Sequence, residues 1–414
     1  MNGEILFIAH RVPFPPDRGD KIRSWNIVKR LARIAPAHIA AFADNAEDMA
    51  HADALEEVAA SQKIILRNRR PAVAAVAGLI KGRPLSVALF DHPEMGAHIA
   101  RLLVERPISA VFAYSSQVAQ FLPALPSGVR FIMDFVDVDS AKYAAYGEVQ
   151  GGPMGWINRR EARKLLAFEQ QVAGRADLSL FVSAAEAELF GGLTGLSSDR
   201  VMPVENGVDL DYFSAGAAFE PLSPEQRGGG PLLVFTGQMD YRPNIEAVDG
   251  FARRSFMHIR ERHPKARFAI VGRNPTPSVK SLGSLPGVIV TGAVDDVRGW
   301  LASADIVVAP LRLARGIQNK VLEAMAMARP VIASPQAAEG IDAVAGTHLL
   351  VAPDSPAEVA AALHLLQDRE AARRLGSAAR ARVEARYSWD STLASLPLIV
   401  SGAREPVKKQ ARAL

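Results

Sequence analysis

Cysteine is absent from the 414 residues of the chain. Its absence excludes disulfide bonds, thiolate nucleophiles, cysteine-ligated zinc and iron–sulfur clusters. The nine histidines are scattered without the spacing of a zinc site, and His-Glu-x-x-His does not occur. We therefore expect no metal and no other cofactor, and a reducing cytoplasm is the expected location of a chain without disulfides.

Long hydrophobic runs are also missing. The longest apolar stretch, residues 71–80, is shorter than the roughly 20 residues that span a bilayer. The chain begins Met1-Asn2-Gly3-Glu4 and continues directly into an apolar run, without the basic and hydrophobic regions of a signal peptide. We expect neither a transmembrane helix nor a signal peptide.

The sequence has little excess charge of one sign. The formal net charge is +4, and residues 404–412 carry four basic side chains against one acidic side chain. The rest of the chain is nearly neutral and lacks the basic and aromatic pattern of a nucleic-acid groove, so nucleic acid is not an expected partner. Gly-x-Gly-x-x-Gly and the P-loop pattern are missing too, which argues against dehydrogenases and P-loop nucleotide hydrolases.

Short, apolar, β-branched runs alternate with longer helical stretches throughout. This pattern is typical of parallel strands that helices cover on both faces, and the length suits two domains. The runs occupy residues 4–9, 38–43, 63–66, 110–114, 129–135, 178–182, 201–204, 232–236, 267–271, 288–291, 305–309, 330–333 and 348–351. The sequence predicts an α/β protein with two doubly wound, Rossmann-like lobes that face a central cleft.

Composition also predicts the domain boundaries. Residues 214–230 contain Ser-Pro and three consecutive glycines, which indicates a linker between a lobe at 1–213 and a lobe at 231–386. Residues 401–414 form a basic tail, which we expect to be flexible.

The segment 309–333 carries the clearest chemistry. A strand ends at Pro310, a loop carries Gly316, and a helix follows until Arg329-Pro330 stops it. Gly316 lies at a helix N-terminus, where free N–H groups favour a phosphate. Lys320 and Glu323 share one helix face, so a cation could meet a diphosphate while a carboxylate grips ribose hydroxyls. An ordinary amphipathic helix with an exposed Lys–Glu pair would show the same spacing.

This segment resembles the Glu-Ala-Met-Ala…Pro-Val signature of the GT-B glycosyltransferases of family 4, which are retaining nucleotide-sugar enzymes. Other segments resemble loops of the same family: 206–209 the connection between lobes, 236–244 and 271–273 two donor-lobe loops, and 291–297 the loop near the nucleotide base. The resemblance implies a nucleotide-diphosphate sugar as donor, a metal-independent transfer, and a second lobe that binds the donor. It also implies a closing helix at 387–400 that crosses back to the first lobe.

Two segments of the predicted first lobe carry a second, more specific resemblance. Residues 11–23 and 133–142 are similar to the sugar transferases of PEP-CTERM/exosortase systems, which accompany bacterial exopolysaccharide loci. This resemblance implies a glycan or polyprenyl-linked acceptor.

Two positions depart from the family pattern. Family 4 commonly has Glu-x7-Glu, but Arg315 stands where the first glutamate is expected, and it could meet a diphosphate or an acidic sugar. Gln238 stands where many relatives have arginine. Arg242 and Lys320 are therefore the candidates for the diphosphate clamp.

The candidate residues fall into three groups by expected role. The catalytic candidates are Arg242, Lys320, Glu323 and Asp137. The donor-binding candidates are Gly19, Gly237, Gly272, Arg273, Val294, Arg315, Gly316, Ile317, Gln318 and Asn319. The acceptor-side candidates are Asp134, Asp139 and Arg18.

Several alternatives stay open at this level. Asp134, Asp137 and Asp139 follow a strand and could be solvated turn residues, acceptor contacts including a base, or the metal-binding Asp-x-Asp of GT-A enzymes. The basic stretch around Trp156, residues 156–168, could lie on an anionic membrane or be a solvated helix face. A GT-B sugar-nucleotide epimerase and a non-catalytic sugar-nucleotide or glycan-binding protein are the alternatives to a transferase.

Overall fold

The computed structural model describes residues 3–16, 18–67, 73, 78–314 and 317–403. The chain divides into two compact units. The first contains Met1–Glu205 and Leu393–Leu414, and the second contains Asn206–Thr392. Within the described residues, no helix is both long and apolar enough to cross a membrane.

The first unit is built on a seven-stranded parallel sheet with the order β3-β2-β1-β4-β5-β6-β7. Its strands are β1 Glu4–Ala9, β2 Ala37–Ala43, β3 Ser61–Leu66, β4 Ile108–Tyr114, β5 Arg130–Val136, β6 Leu178–Phe181 and β7 Val201–Pro203. Its helices include α1 Gly19–Ala32, α2 Ala46–Ala50, α3 Leu85–Ala88, α4 Pro93–Glu105, α5 Asp139–Val149, α6 Gly152–Arg175 and α7 Ala184–Thr194, with 3₁₀ turns at Ala52–Glu57 and Ser116–Phe121.

The second unit is built on a six-stranded parallel sheet with the order β10-β9-β8-β11-β12-β13. Its strands are β8 Leu232–Thr236, β9 Arg267–Val271, β10 Val288–Gly292, β11 Ile306–Ala309, β12 Val331–Ala333 and β13 Leu350–Val351. Its helices are α8 Pro224–Arg227, α9 Arg242–Gly250, the π-helix Phe251–Phe256, α10 Met257–Arg262, α11 Pro277–Ser281, the 3₁₀ turn Leu282–Ser284, α12 Arg298–Ser303, α13 Asn319–Ala326, α14 Pro335–Ala338, α15 Ser355–Gln367, α16 Arg369–Arg386 and α17 Trp389–Thr392.

Both sheets confirm the predicted α/β class. Each of the thirteen apolar runs forms a strand, because strands covered on both faces need apolar residues at successive positions. All seven residues of β2 and all five of β8 are buried. The strand order reverses between β1 and β4 and again between β8 and β11, and the carboxyl ends of strands at such switch points are where open α/β sheets bind ligands.

The boundary between the units lies earlier than the predicted linker. Residues 206–230 belong to the second unit, where Phe213, Phe219 and Leu222 pack against its core. The guanidinium of Arg298 stacks 3.8 Å from the ring of Tyr212 and fastens the same segment. A glycine-rich composition marked this stretch as a linker, but its few apolar residues are enough to fix it.

The chain returns to the first unit near its end. The predicted helix at 387–400 is two short helices, α17 in the second unit and α18 Leu396–Ser401 in the first. Arg130 at the start of β5 donates from Nε to the carbonyl of Ile399 (2.7 Å), which anchors α18. Residues 404–414, most of the predicted tail, lie outside the described residues.

The first and last residues of the second unit lie side by side. The N–H of Val208 donates to the carbonyl of Tyr387 (2.6 Å), and Val208 forms a parallel bridge with Ser388. A Cβ on Gly207 would lie 2.7 Å from the Cα of Trp389, so only glycine allows this approach.

Candidate functional site

Two glycines follow neighbouring strands at the carboxyl edge of the second sheet. Gly237 comes after β8 and Gly272 after β9, and both have φ +156°. A Cβ on Gly272 would lie 1.6 Å from the carbonyl oxygen of Gly237. Glycine is therefore required for the two loops to approach each other.

Lys320, the second residue of α13, reaches the first of these loops. Its Nζ donates to Oδ1 of Asn244 (2.5 Å) and lies 4.4 Å from the centre of the Phe235 ring. A Cβ on Gly237 would come within 3.1 Å of this Nζ. The structure thus places the predicted cation against a predicted glycine, although the two are far apart in sequence.

The Lys320–Glu323 pair has perturbed protonation. Burial lowers the pKa of Lys320 to about 7, although the negative charge of Glu323 acts to raise it. Burial also raises the pKa of Glu323 to about 7, although the positive charge of Lys320 acts to lower it. An anion bound beside Lys320 would favour its ammonium form, so the site is suited to a group that brings its own negative charge.

The helix start near Lys320 contains three more predicted residues. Ile317 is buried in the core of the second unit, and the carbonyl of Gln318 accepts from the N–H of Val321 (2.9 Å). The Oδ1 of Asn319 is buried and has no partner among the residues that the structure describes. Arg315 and Gly316, both predicted donor contacts, lie outside the described residues.

The remaining donor-side candidates lie around the same edge. The Gln238 amide oxygen, in the orientation that satisfies its neighbours, accepts from Nε and Nη2 of Arg273 (3.2 Å each). Val294, after β10, lines a shallow groove of about 500 Å³ together with Thr291 and Trp300.

Arg242 points along its own helix. Its Nε donates to Oε1 of Glu246 (2.7 Å), and 68% of the side chain is exposed. Lys320 is therefore the cation whose contacts join the strand-end loop to the helix. Asn244 and Phe235, which contact it, were not among the predicted residues. No pattern in the sequence links Asn244 to a lysine 76 positions away.

In the first unit, a network of arginines and aspartates surrounds the start of α1. Arg11 contacts Asp20 from Nη1 and Asp44 from Nε at 2.5 Å each, and Arg18 contacts the same two carboxylates at 3.3 Å. Burial alone would raise the pKa of Asp20, but the hydrogen bond with His10 and the arginine charges hold it far below its usual range. Arg18 is therefore already engaged with two carboxylates.

Gly19, predicted to approach the donor phosphates, is the first residue of α1. A Cβ built on it would meet nothing within 4 Å among the described residues. The position is open, and within the first unit no packing constraint demands glycine there.

The structure places Asp134 in the core of the first unit and not at an exposed acceptor site. Its side chain is fully buried, and its Oδ2 accepts from Nε (3.0 Å) and pairs with Nη2 (2.9 Å) of Arg23. Arg23 is buried as well and donates from Nη1 to the carbonyl of Val204 (2.7 Å). Asp134 was predicted to contact the acceptor, but this ion pair uses it to join α1 to the sheet.

A tight turn separates Asp134 from the next two aspartates. Val136 has φ +72°, which is strained for a β-branched residue, and the N–H of Asp137 donates to the carbonyl of Phe135 (3.0 Å), as in a γ-turn. Two buried glutamates hold the following residues. Glu186 accepts from the N–H of Val138 (2.7 Å), and Glu169 accepts from the hydroxyl of Ser140 (2.5 Å).

Asp137 and Asp139 share one ammonium. Nζ of Lys142 lies 2.7 Å from Oδ2 of Asp137 and 3.2 Å from Oδ1 of Asp139, and about a third of each side chain is exposed. These aspartates are therefore paired rather than simply solvated. Lys142 fills the position between them that a cation would take, and the described residues contain no group of three or more potential metal ligands.

Glu169 predicts a pH dependence of stability. Burial raises its pKa to about 8 from an ordinary 4.5, against hydrogen bonds from Ser140. The folded chain thus holds a proton that the unfolded chain releases, and the contribution of Glu169 to the free energy of unfolding falls as pH rises from 4.5 to 8, by about 1.4 kcal/mol per unit at most. Urea unfolding of wild type and Glu169→Gln at pH 5.5 and 8 measures this. The variant loses the Glu169 share of the decline, and equal pH dependence in both proteins would contradict the assignment.

The comparisons with known proteins concern both units. Residues 230–368 match the family model described as "Glycosyl transferases group 1". The chain is 29% identical over 285 residues to D-inositol 3-phosphate glycosyltransferase 2 of Catenulispora acidiphila, an alignment that covers 63% of this chain and 64% of that protein. It is 27% identical over 410 residues to a GDP-mannose-dependent alpha-(1-6)-phosphatidylinositol monomannoside mannosyltransferase of Mycobacterium tuberculosis, covering 94% and 96%.

Curated relatives are therefore matched to different extents. The chain spans less than two thirds of the length of the inositol phosphate enzyme and of a Mycobacterium tuberculosis glycogen synthase, but nearly the whole mannosyltransferase.

Solved structures show the same fold. HepE of Anabaena, in complex with UDP and glucose, aligns with a TM-score of 0.68 at 14% identity and covers 97% of this chain and 100% of that one. WaaG, a glycosyltransferase involved in lipopolysaccharide biosynthesis, aligns with a TM-score of 0.64 at 15% identity and covers 96% and 100%. The chain has the GT-B fold, and the relatives and the family match support a glycosyltransferase.

Proposed function

We propose that the chain transfers a sugar from a nucleotide-diphosphate sugar, bound by the second unit, to an acceptor bound by the first. The observation that carries the proposal is the Lys320 ammonium, held by Asn244 beside Gly237 at the carboxyl edge of the sheet. This site lies within the residues that match the glycosyltransferase model. HepE, which has the same fold, binds UDP and UDP-glucose in its solved structures.

The proposed chemistry depends on the leaving group. Breaking the bond between the sugar and the diphosphate leaves an oxocarbenium-like centre and a negatively charged diphosphate. A positive charge fixed beside the diphosphate stabilises the negative charge that develops on it. Lys320 supplies this charge, and the helix start that follows Gly316 supplies N–H groups. Glu323 lies one turn later and holds ribose hydroxyls of the nucleotide. The acceptor oxygen bonds to the anomeric carbon on the face that the diphosphate leaves, and the departing diphosphate takes the proton of the acceptor hydroxyl. The reaction therefore retains the anomeric configuration and uses no metal.

The first unit supplies the acceptor side of the proposal. Asp137 and Asp139 are partly exposed, and Glu186 and Glu169 hold the neighbouring residues Val138 and Ser140. Both carboxylates can accept hydrogen bonds from sugar hydroxyls while Lys142 stays paired with at least one of them. Arg18 and Gly19, at the start of α1, complete this edge.

A glycan or polyprenyl-linked acceptor is the class we propose, in bacterial exopolysaccharide biosynthesis of the PEP-CTERM/exosortase type. The segments 11–23 and 133–142 carry the likeness on which this depends. The mannosyltransferase relative is named for a phosphatidylinositol acceptor, which supports a lipid-linked substrate. We place the protein in the cytoplasm, at the inner face of the membrane.

A panel of UDP- and GDP-sugars tests the function. Each donor is incubated with the chain, with and without EDTA, and with a polyprenyl diphosphate sugar as acceptor. A transferase releases the nucleoside diphosphate and elongates the acceptor, in both conditions. A new epimer without an acceptor would instead identify an epimerase, and binding without turnover would identify a binding protein.

The helical hairpin of α5 and α6 is the proposed membrane contact. It exposes four large apolar side chains, Tyr146, Val149, Met154 and Trp156, and Arg163 on α6 is exposed as well. Arg160, a basic residue of the predicted membrane stretch, is not available for this contact, because it is buried and donates to the carbonyl of Arg83. Apolar side chains beside basic ones suit an anionic bilayer surface.

Vesicle binding tests this contact. Wild type is expected to cosediment with phosphatidylglycerol vesicles and to lose most of this binding in 1 M salt or after Trp156→Ser with Arg163→Glu. Phosphatidylcholine vesicles and Lys265→Glu, an exposed lysine of the second unit, serve as controls. Equal cosedimentation of the double variant and wild type would reject the hairpin as the membrane contact.

A further inference from the structure

Asn244 is a buried polar residue whose side-chain nitrogen and oxygen each make a hydrogen bond. It is the third residue of α9, and only 5% of it is exposed. Its Nδ2 donates to the carbonyl of Gln238 (2.8 Å), and its Oδ1 accepts from Nζ of Lys320 (2.5 Å). One amide therefore links the loop after β8 to the lysine on α13.

The two contacts specify an amide at this position. The carbonyl of Gln238 needs a donor, while the ammonium of Lys320 needs an acceptor. Aspartate would place a carboxylate oxygen against the Gln238 carbonyl, and an apolar residue would satisfy neither group. The side chain does not cap the helix, because the N-cap position belongs to Tyr241 and the two polar atoms of Asn244 are bonded to Gln238 and Lys320.

Lys320 needs such a restraint. A lysine carries its charge on a flexible four-carbon stem with three rotatable donors, so the position of its Nζ is set by what holds it. Here the Phe235 ring lies on one side at 4.4 Å, and the Asn244 oxygen fixes the direction of one donor. Among the residues that the structure describes, this Nζ makes no other hydrogen bond, and a Cβ on Gly237 would lie 3.1 Å from it.

We propose that Asn244 is a positioning residue that aims the Lys320 ammonium at the diphosphate of the donor. The inference rests on the proposed function, because it takes the ligand from there. Asn244 touches no part of the donor in this proposal and acts only through Lys320. Its loss leaves the nucleoside contacts in place and weakens only the recognition of the diphosphate.

Binding of four probes by calorimetry separates these contributions: UDP and GDP, and the matching nucleosides uridine and guanosine. In Asn244→Ala the preference of wild type for the diphosphate over its nucleoside is expected to fall about 10- to 100-fold, because a misdirected charge loses most of its effect. Lys320→Met is expected to lose the same preference. The double variant is expected to resemble Lys320→Met, since the asparagine has nothing left to position.

A second measurement follows the link without any ligand. Reaction of the Lys320 amine with acetic anhydride, quantified by mass spectrometry across pH, reports its protonation in the full chain. Asn244→Asp brings a carboxylate to the ammonium and is expected to move the reactivity of Lys320 to higher pH. Asn158→Ala removes another buried asparagine, bonded to Gln150 in the first unit, and is expected to change neither readout.

Each outcome distinguishes the two proposals. An unchanged diphosphate preference in Asn244→Ala, or additive losses in the double variant, overturns the role of Asn244 while the donor site stands. A wild-type chain that binds neither diphosphate overturns the proposed function and the ligand with it. Unchanged Lys320 reactivity in Asn244→Asp overturns the contact itself.

Discussion

Lys320→Met lowers the turnover of the donor sugar about 10²- to 10³-fold, with most of the loss in kcat. The reason is that the ammonium acts on charge that develops as the diphosphate departs, and removal of one preorganised donor of this kind typically costs that much. Methionine keeps the length and apolar stem of the side chain, so the packing against Phe235 is largely conserved. Because burial already lowers the pKa of Lys320 to about 7, losing the charge is expected to leave the fold stable.

Release of the nucleoside diphosphate, followed at saturating donor, measures this effect. Lys265→Met is the matched control, since Lys265 is exposed and precedes β9 at the opposite end of the strands. Arg242→Ala is expected to change kcat less than about threefold, because its guanidinium is exposed and paired with Glu246. A Lys320→Met enzyme with wild-type kcat would remove the lysine from the mechanism, and a severe loss in Arg242→Ala would restore Arg242 to it.

Asp134→Ala lowers the free energy of unfolding of the first unit by about 3–5 kcal/mol. The variant leaves the Arg23 guanidinium buried without its carboxylate. A buried charge without a partner destabilises the fold by more than the intact ion pair stabilised it. Burial raises the pKa of Asp134 although the charge and hydrogen bond of Arg23 act to lower it, so this buried position disfavours the ionised form. The effect is on stability, and we expect little change in the affinity of the second unit for nucleotides.

Urea unfolding monitored by circular dichroism gives the change. Asp137→Ala is the control on the same strand end, where a part-exposed ion pair with Lys142 is worth about 1 kcal/mol or less. The double variant Arg23→Met/Asp134→Leu is expected to regain much of the lost stability, because both charges are then removed. Similar losses from Asp134→Ala and Asp137→Ala would contradict the structural role of Asp134.

The sequence was sufficient for the sheets and for part of the donor site. Strands buried on both faces are written as continuous apolar runs, and these stand out between polar helices. Lys320 and Glu323 could be found because they lie on one short helix next to a strand end. The contacts across the sheet had no such signal. Asn244 contacts Lys320 only once β8 and β11 are paired, and the pattern of apolar runs in one sequence does not show which strands become neighbours.

The aspartates after β5 show a second limit. In the sequence, Asp134, Asp137 and Asp139 form one group at the end of a strand, which suggests a common role. The γ-turn at Val136 separates them, so that one carboxylate is buried against Arg23 and the other two pair with Lys142. A valine with positive φ has no signature in the sequence. The turn is held by the hydrogen bond from the N–H of Val136 to Asp134, and by Glu186 and Glu169, which reach the following residues from other helices.

The pairing of Val208 with Ser388 makes the second unit an insertion whose ends are tied together. The host chain leaves at Glu205 and resumes at Leu393, and for the host these 187 intervening residues act as a short loop. Closing such a loop costs the first unit little conformational entropy once the insert has folded. The final helix of the first unit can therefore dock on β5 as if it followed β7 directly.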